Sequence, residues 1–261
     1  MRWLNLLFVL LVNAVPLYGV KYLDWSVGTV LVLYWLENLL IAVFTCARIL
    51  LHRTLTRKRG HWRTGQLGSK VNDRPSGQGL FGEYAVIAFV FTLAHGIFVF
   101  AIVFLIGENR PDVANWKFSF EQFRIGAWQM LAVLAVNFLV DAMSIRSRSF
   151  AWIKAYVGQR MGRVLILHLA IIFGMWAMAA SDSPLAVLYV LIALKTLWDL
   201  AASNASAKAD ALPAEAPGWA LKLADAVAKD KGGAKEMQAD WKRSREQMQR
   251  AAIEDEQVMS A

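Results

Sequence analysis

Glu37 and Asn38 stand side by side inside the apolar run Val27–Leu50. A charged side chain at a bilayer centre costs roughly 2.5 kcal/mol or more, so such a carboxylate must find partners or do chemistry. Other apolar runs carry His95, Asp141, His168, Lys195 and Asp199. Counted along each run at about 1.5 Å per residue, Asn13, Glu37, Asn38, His95, Asn137 and Lys195 fall near mid-depth. Asp141, His168 and Asp199 fall nearer the end whose loops are basic. The sequence therefore predicts a buried polar cluster drawn from Glu37, Asn38, His95, His168, Lys195 and Asp199.

Glu37 and Lys195 have opposite charge at similar depth, which predicts an ion pair between two helices. The alternative is a proton or solute site built on the Glu37 carboxylate. Lys195 also has Asp199 four residues on, a competing partner on its own helix face. His95 and His168 on facing helices have the chemistry to ligate a haem or share a metal. Their depths differ by about 9 Å at the helical rise, which favours separate, hydrogen-bonded histidines. No residue set reads as catalytic or as a metal site. The sequence contains no phosphate-cradling glycine loop with lysine, no paired histidines at metalloprotease spacing and no Gly-x-Ser-x-Gly elbow. It points to no particular cofactor, and the balance is against an enzyme.

The elements that position these residues follow from composition. Of 261 residues, 57% are hydrophobic, and they come in blocks. Six stretches approach the roughly 20 residues needed to cross a hydrocarbon core: 3–20, 27–50, 84–106, 125–143, 164–180 and 185–200. Ser181-Asp182-Ser183-Pro184 makes the last two a helical hairpin. The net charge of +8 is concentrated in two connections. One holds Arg48, Arg53, Arg57, Lys58, Arg59, Arg63, Lys70 and Arg74 against Asp73 alone; the other holds Arg146, Arg148, Lys154, Arg160 and Arg163 without an acid. Basic loops stay cytoplasmic, so the expectation is six spans with both termini inside. This places residues 1–205 in an all-α polytopic bundle and 206–261 in a charged cytoplasmic tail, partly helical or disordered. The charge is a topology signal, and nucleic acid is not an expected partner.

Met1-Arg2 and the apolar run after it resemble a signal peptide, but the run continues past Ala14 to Val20, so the first span is expected to be retained. A single cysteine, Cys46, excludes an internal disulfide. The glycine-rich loop after the second run reads as a flexible connection. Phe150, Ile153, Val157 and Met161 share one helical face, the pattern of a helix lying in the membrane interface. Trp116, Phe120 and Phe123 suggest a second interfacial element. Ala234–Val258 and Trp219–Ala228 are expected helices of a tail that is mobile or waits for a protein partner.

Tyr34-Trp35-Leu36-Glu37-Asn38 resembles the signature of a bacterial inner-membrane family known only as a domain of unknown function, with Tyr-Trp-x-Glu-Asn in its second span. His95-Gly96-Ile97-Phe98, Leu167-His168 and Leu194-Lys195-Thr196-Leu197-Trp198-Asp199-Leu200 fit the same resemblance, which covers roughly Val27–Leu200. The resemblance implies a similar six-helix body in the inner membrane and no known activity, substrate or cofactor. Two histidines of the family pattern would fall at Ile87-Ala88-Phe89 and at Ser203. If they bind a metal in relatives, this chain has lost them. The functional expectation is a small transporter or permease-like body handling a proton or polar solute. A membrane redox or metal protein and a scaffold recruiting a partner through its tail are the alternatives.

Overall fold

The computed structural model of the chain describes residues 2–67, 72–75, 79–106, 117–181, 185–205, 215–227 and 233–259. Six long helices form the body: α1 (Arg2–Tyr22), α2 (Val27–Thr56), α3 (Gly79–Phe100), α4 (Phe120–Ser144), α5 (Phe150–Ser181) and α6 (Leu185–Ala205). Two more, α7 (Gly218–Val227) and α8 (Gly233–Glu256), form the tail. A single-turn 3-10 helix (Arg59–Trp62) and a two-stranded antiparallel pair, β1 (Arg63–Thr64) and β2 (Asn72–Pro75), occupy the connection between α2 and α3.

Local signals set the helix ends. Ser26 caps α2, its hydroxyl accepting from the Thr29 N–H, and Arg57 closes the helix in the left-handed region with φ 50°. Ser119 caps α4 in the same way through the Gln122 N–H, with Glu121 in the first turn where the helix dipole favours an acid. The two caps are tied together, since the Ser119 N–H donates to the Thr29 hydroxyl and the Ser26 N–H to the Gln122 carbonyl. At the other end of the same two helices, Arg48 of α2 binds Asp141 of α4 at 2.9 Å. Hence α2 and α4 run parallel and pack on each other, and α3 packs on α2.

Three helices among the described residues are long and apolar enough to cross a membrane: Val27–Thr56, Gly79–Phe104 and Phe120–Ser147. Only 33%, 28% and 17% of their most apolar windows are buried inside the fold, so most of that surface faces outward. Phe89, Ile97, Phe98 and Phe100 of α3 and Trp128 and Leu139 of α4 are exposed apolar side chains of this kind. A surface so apolar is matched to lipid. α1, α5 and α6 reach spanning length as well, at 21, 32 and 21 residues.

The helices extend past the sequence-expected runs at one end, which changes two assignments. The stripe Phe150–Met161 does not form a separate interfacial helix; it is the first third of α5, continuous with the run 164–180. Phe150, Ile153 and Val157 are fully buried against Ile49 of α2 and Leu80, Tyr84 and Ala88 of α3. The stripe meets protein because α2 runs on to Thr56 and α3 begins at Gly79, so both flank it. Each such side chain gains about 1.5–3 kcal/mol by burial. Similarly, Phe120 and Phe123 belong to the first turns of α4, while Trp116 lies outside the described residues. So does the turn Asp182-Ser183-Pro184, between the closely packed α5 and α6.

The basic connection is built, not slack, over Arg57–Leu67: it carries the 3-10 turn and β1. The Glu83 carboxylate accepts from the Gly65 and Leu67 N–H groups. α7 and α8 pack on each other, and the end of α8 docks on the 3-10 turn and on the head of α5.

Candidate functional site

The Lys195 ammonium is the centre of a buried cluster shared by α1, α2 and α6. It donates to the Asn13 Oδ1 at 2.5 Å, lies 3.2 Å from Glu37 Oε1 and 3.8 Å from Asp199 Oδ2. The Asn13 amide completes a ring, its Nδ2 donating to Asp199 Oδ2 at 3.3 Å. The Tyr34 ring lies 5.3 Å from the ammonium, in cation–π range. Glu37 is 0% exposed, Lys195 1%, Asn13 5% and Asp199 9%. The competition between Glu37 and Asp199 for Lys195 is resolved by sharing, with Glu37 the nearer. Asn13, polar but uncharged, carries no sign to match from sequence; its part as a two-ended link emerges only from the packing of α1 on α6.

The Tyr-Trp-x-Glu-Asn stretch divides between two faces of α2. Tyr34 and Glu37, three residues apart, meet Lys195. Trp35 and Asn38, offset by one, face α3: the Trp35 Nε1–H donates to the Thr92 carbonyl at 2.9 Å. Gly96 makes room for that indole, since a Cβ there would lie 2.7 Å from Trp35 Nε1. The glycine of His95-Gly96 thus has a packing reason. Gly162 of α5 plays the same part for Trp198 of α6, whose ring occupies the space of a Cβ. Asn38 borders a cavity of about 30 Å³ with Tyr84, Thr92, Arg160 and Met161, room for a water or two. Glu37 does not line it.

His95 is buried on α3 and stacks on Phe91, one turn earlier, at 5.2 Å. His168 lies in α5, but its side chain is outside the described residues, and with it the expected shared ligand. Among the described residues no three His, Cys, Asp or Glu side chains are grouped to hold a metal ion.

A second polar assembly lies at the Arg57 end, and the sequence reading gave it no weight. Arg48, counted there as a loop charge, is buried: it pairs with Asp141, donates to the Phe44 carbonyl and lies between the Phe138 and Tyr156 rings. His52 and His61 are both fully buried, with His52 Nδ1 2.6 Å from His61 Nε2. His52 Nε2 faces the Arg148 carbonyl at 3.2 Å, which can only accept. His52 therefore carries its proton on Nε2, and His61 donates from Nε2 to His52 Nδ1. Burial first, then the neighbouring His52, Arg53 and Lys58, push His61 down to about 3, so it is neutral. A histidine in a basic loop reads as solvated, and nothing in its spacing reveals the partner.

The acids Glu254, Asp255 and Glu256 belong to the same assembly. Arg63 pairs with Asp255 and Glu254, each at 3.1 Å, Gln66 Nε2 donates to Asp255 at 3.2 Å, and Lys58 pairs with Glu256 at 2.5 Å. Burial, the largest influence, raises Asp255 above the usual carboxylate range although Arg63 opposes it.

A helical bundle with an outward apolar surface and an interior ion cluster belongs to the class of membrane-type helical proteins. Residues 1–216 match the model of the "Family of unknown function (DUF6498)", and the chain belongs to that family. No curated protein and no solved structure matches the chain. The family match takes in all six body helices and ends just before α7.

Proposed function

We propose that the chain is a six-span protein of the bacterial inner membrane, with both termini cytoplasmic, and that its body is a small transporter or permease that handles a proton or polar solute at Glu37, Lys195 and Asp199. The observation that carries this is that two buried carboxylates, Glu37 and Asp199, share the Lys195 ammonium. A carboxylate that competes for a shared buried cation is a group whose protonation can change the pairing. Gaining the proton weakens one hold on Lys195; losing it restores the pair. Asn13 keeps both Lys195 and Asp199 in reach through the exchange. In this reading His95 and Asn38 belong to the same polar layer.

Complementation of a deletion tests it. Glu37→Gln keeps an acceptor for Lys195 but cannot ionise, so the variant accumulates in the membrane and fails to complement. Full complementation by Glu37→Gln would overturn proton handling here. A scaffold reading is second, favoured by the end of α8 being docked on the body. On that reading the body folds and localises normally, and replacements in the tail alone abolish the phenotype.

A further inference from the structure

The end of α8 is held as a peptide ligand is held. Its main chain pairs with the segment after α2: Arg59 N–H donates to the Gln257 carbonyl at 2.8 Å and Met259 N–H to the Arg57 carbonyl at 3.0 Å, around an antiparallel bridge of Lys58 with Val258. Each of three consecutive acids has a basic partner, two of them the same arginine. Glu254 and Asp255 take Arg63, with Gln66 adding to Asp255. Glu256 takes Lys58 and also accepts from the Ala151 N–H at 3.1 Å, capping the start of α5 where helix N–H groups are otherwise unsatisfied. Arg63, Gln66 and Asp255 are 7%, 2% and 3% exposed, so the Asp255 contact is buried, with the Glu254 and Glu256 pairs nearer the surface at its rim.

The two sides of this contact fall on either side of the end of the family match. Lys58, Arg63, Gln66 and Ala151 lie within the part of the chain that matches the family; Ala251–Met259 lies beyond it. The body therefore carries the receptor, and the tail supplies the occupant. Main-chain pairing with side chains read in alternate pockets is a general mode of peptide recognition.

We propose that Arg57–Leu67 and the head of α5 form a binding site for an acidic peptide of the Glu-Asp-Glu type, and that the chain's own segment Ala251–Met259 is its tethered, exchangeable occupant. Tethering through α6–α8 raises the local concentration of the segment far above that of a free peptide, so a modest intrinsic affinity keeps the site filled. The site does not depend on the proton-handling reading of the Glu37 cluster.

The test uses the full chain in detergent and a fluorescein-labelled peptide of residues 250–261. Glu254→Gln/Asp255→Asn/Glu256→Gln vacates the seat in cis, and the free peptide is expected to bind this variant at least about tenfold more tightly than the unaltered chain. Adding Arg63→Gln to the variant, or replacing the three acids of the peptide by amides, is expected to abolish binding. Should the triple variant fold poorly, Glu256→Lys, which repels Lys58, is the milder substitute. Equal binding to the unaltered chain and the vacated variant, indifference to Arg63→Gln, or binding of the amide peptide each overturns the proposal. An independent check is a disulfide between Lys58→Cys and Val258→Cys with Cys46→Ser; its failure to form would show that the segment is not seated.

Discussion

Lys195 matters most to the stability of the polar cluster because it binds Asn13, Glu37 and Asp199 together. Lys195→Met leaves Glu37 and Asp199 facing a methylene chain, and is expected to cost about 3–5 kcal/mol, the usual penalty for stranding a buried charge. Glu37→Gln retains a carbonyl acceptor and should cost less, about 1.5–3 kcal/mol. The double replacement is expected to lose less than the sum, by about 1 kcal/mol or more. Denaturant unfolding of the four proteins in detergent measures the cycle; additivity would mean that the 3.2 Å contact carries no coupling. Asn13→Ala belongs in the same series, since it removes both an acceptor from Lys195 and a donor to Asp199.

Between elements, close approach and the histidine pair do the work. Trp198 of α6 fills the space beside Gly162 of α5, so Gly162→Leu forces the hairpin apart and is expected to destabilise by about 1–3 kcal/mol, read as a lowered Tm. His61 couples the α2–α3 connection to pH. Folded, it is pushed down to about 3 by burial and by His52, Arg53 and Lys58; unfolded, it titrates near 6.5. The open form then binds a proton that the closed form refuses. His61 stabilises fully above about pH 6.5 and progressively less as pH falls towards about 3. Amide exchange across Arg57–Leu67 should accelerate over that window, and His61→Phe should remove the part of the response that begins near pH 6.5. An unchanged acid profile in His61→Phe would assign the loosening to the carboxylates instead.

At the scale of the molecule the governing question is which surfaces meet lipid. The body presents exposed phenylalanine and isoleucine on α3 and exposed tryptophan and leucine on α4, whereas the connections at the Arg57 end are cationic. Single cysteines at positions 57 and 117, in a Cys46→Ser background, are expected to differ in intact cells. An impermeant maleimide should label position 117 and spare position 57 until the cells are opened. Labelling of position 57 in intact cells would reverse the proposed orientation.

Apolar blocks of spanning length were enough to predict helices at each of the body's six places, because helix existence depends on local composition and the 3.6-residue period. Opposite charge at matched depth was enough to put Glu37 with Lys195, since a buried charge has few other places to go. The stripe Phe150–Met161 was legible as amphipathic but not as core: an apolar face is the same against lipid or protein, and only the lengths of α2 and α3 choose between them. Asn13, His52, His61, Arg48 and Asp255 were not legible as partners. Asn13 owes its partner Lys195, Arg48 its partner Asp141 and Asp255 its partner Arg63 to contacts far along the chain, and no local pattern encodes a register between distant helices; His52 and His61, nine residues apart, meet only because the chain turns back after Arg57. Composition and period belong to the sequence alone. Which polar group meets which is decided by how the helices pack, because the strength of a buried ion pair depends on geometry of a few tenths of an ångström that only the assembled bundle sets.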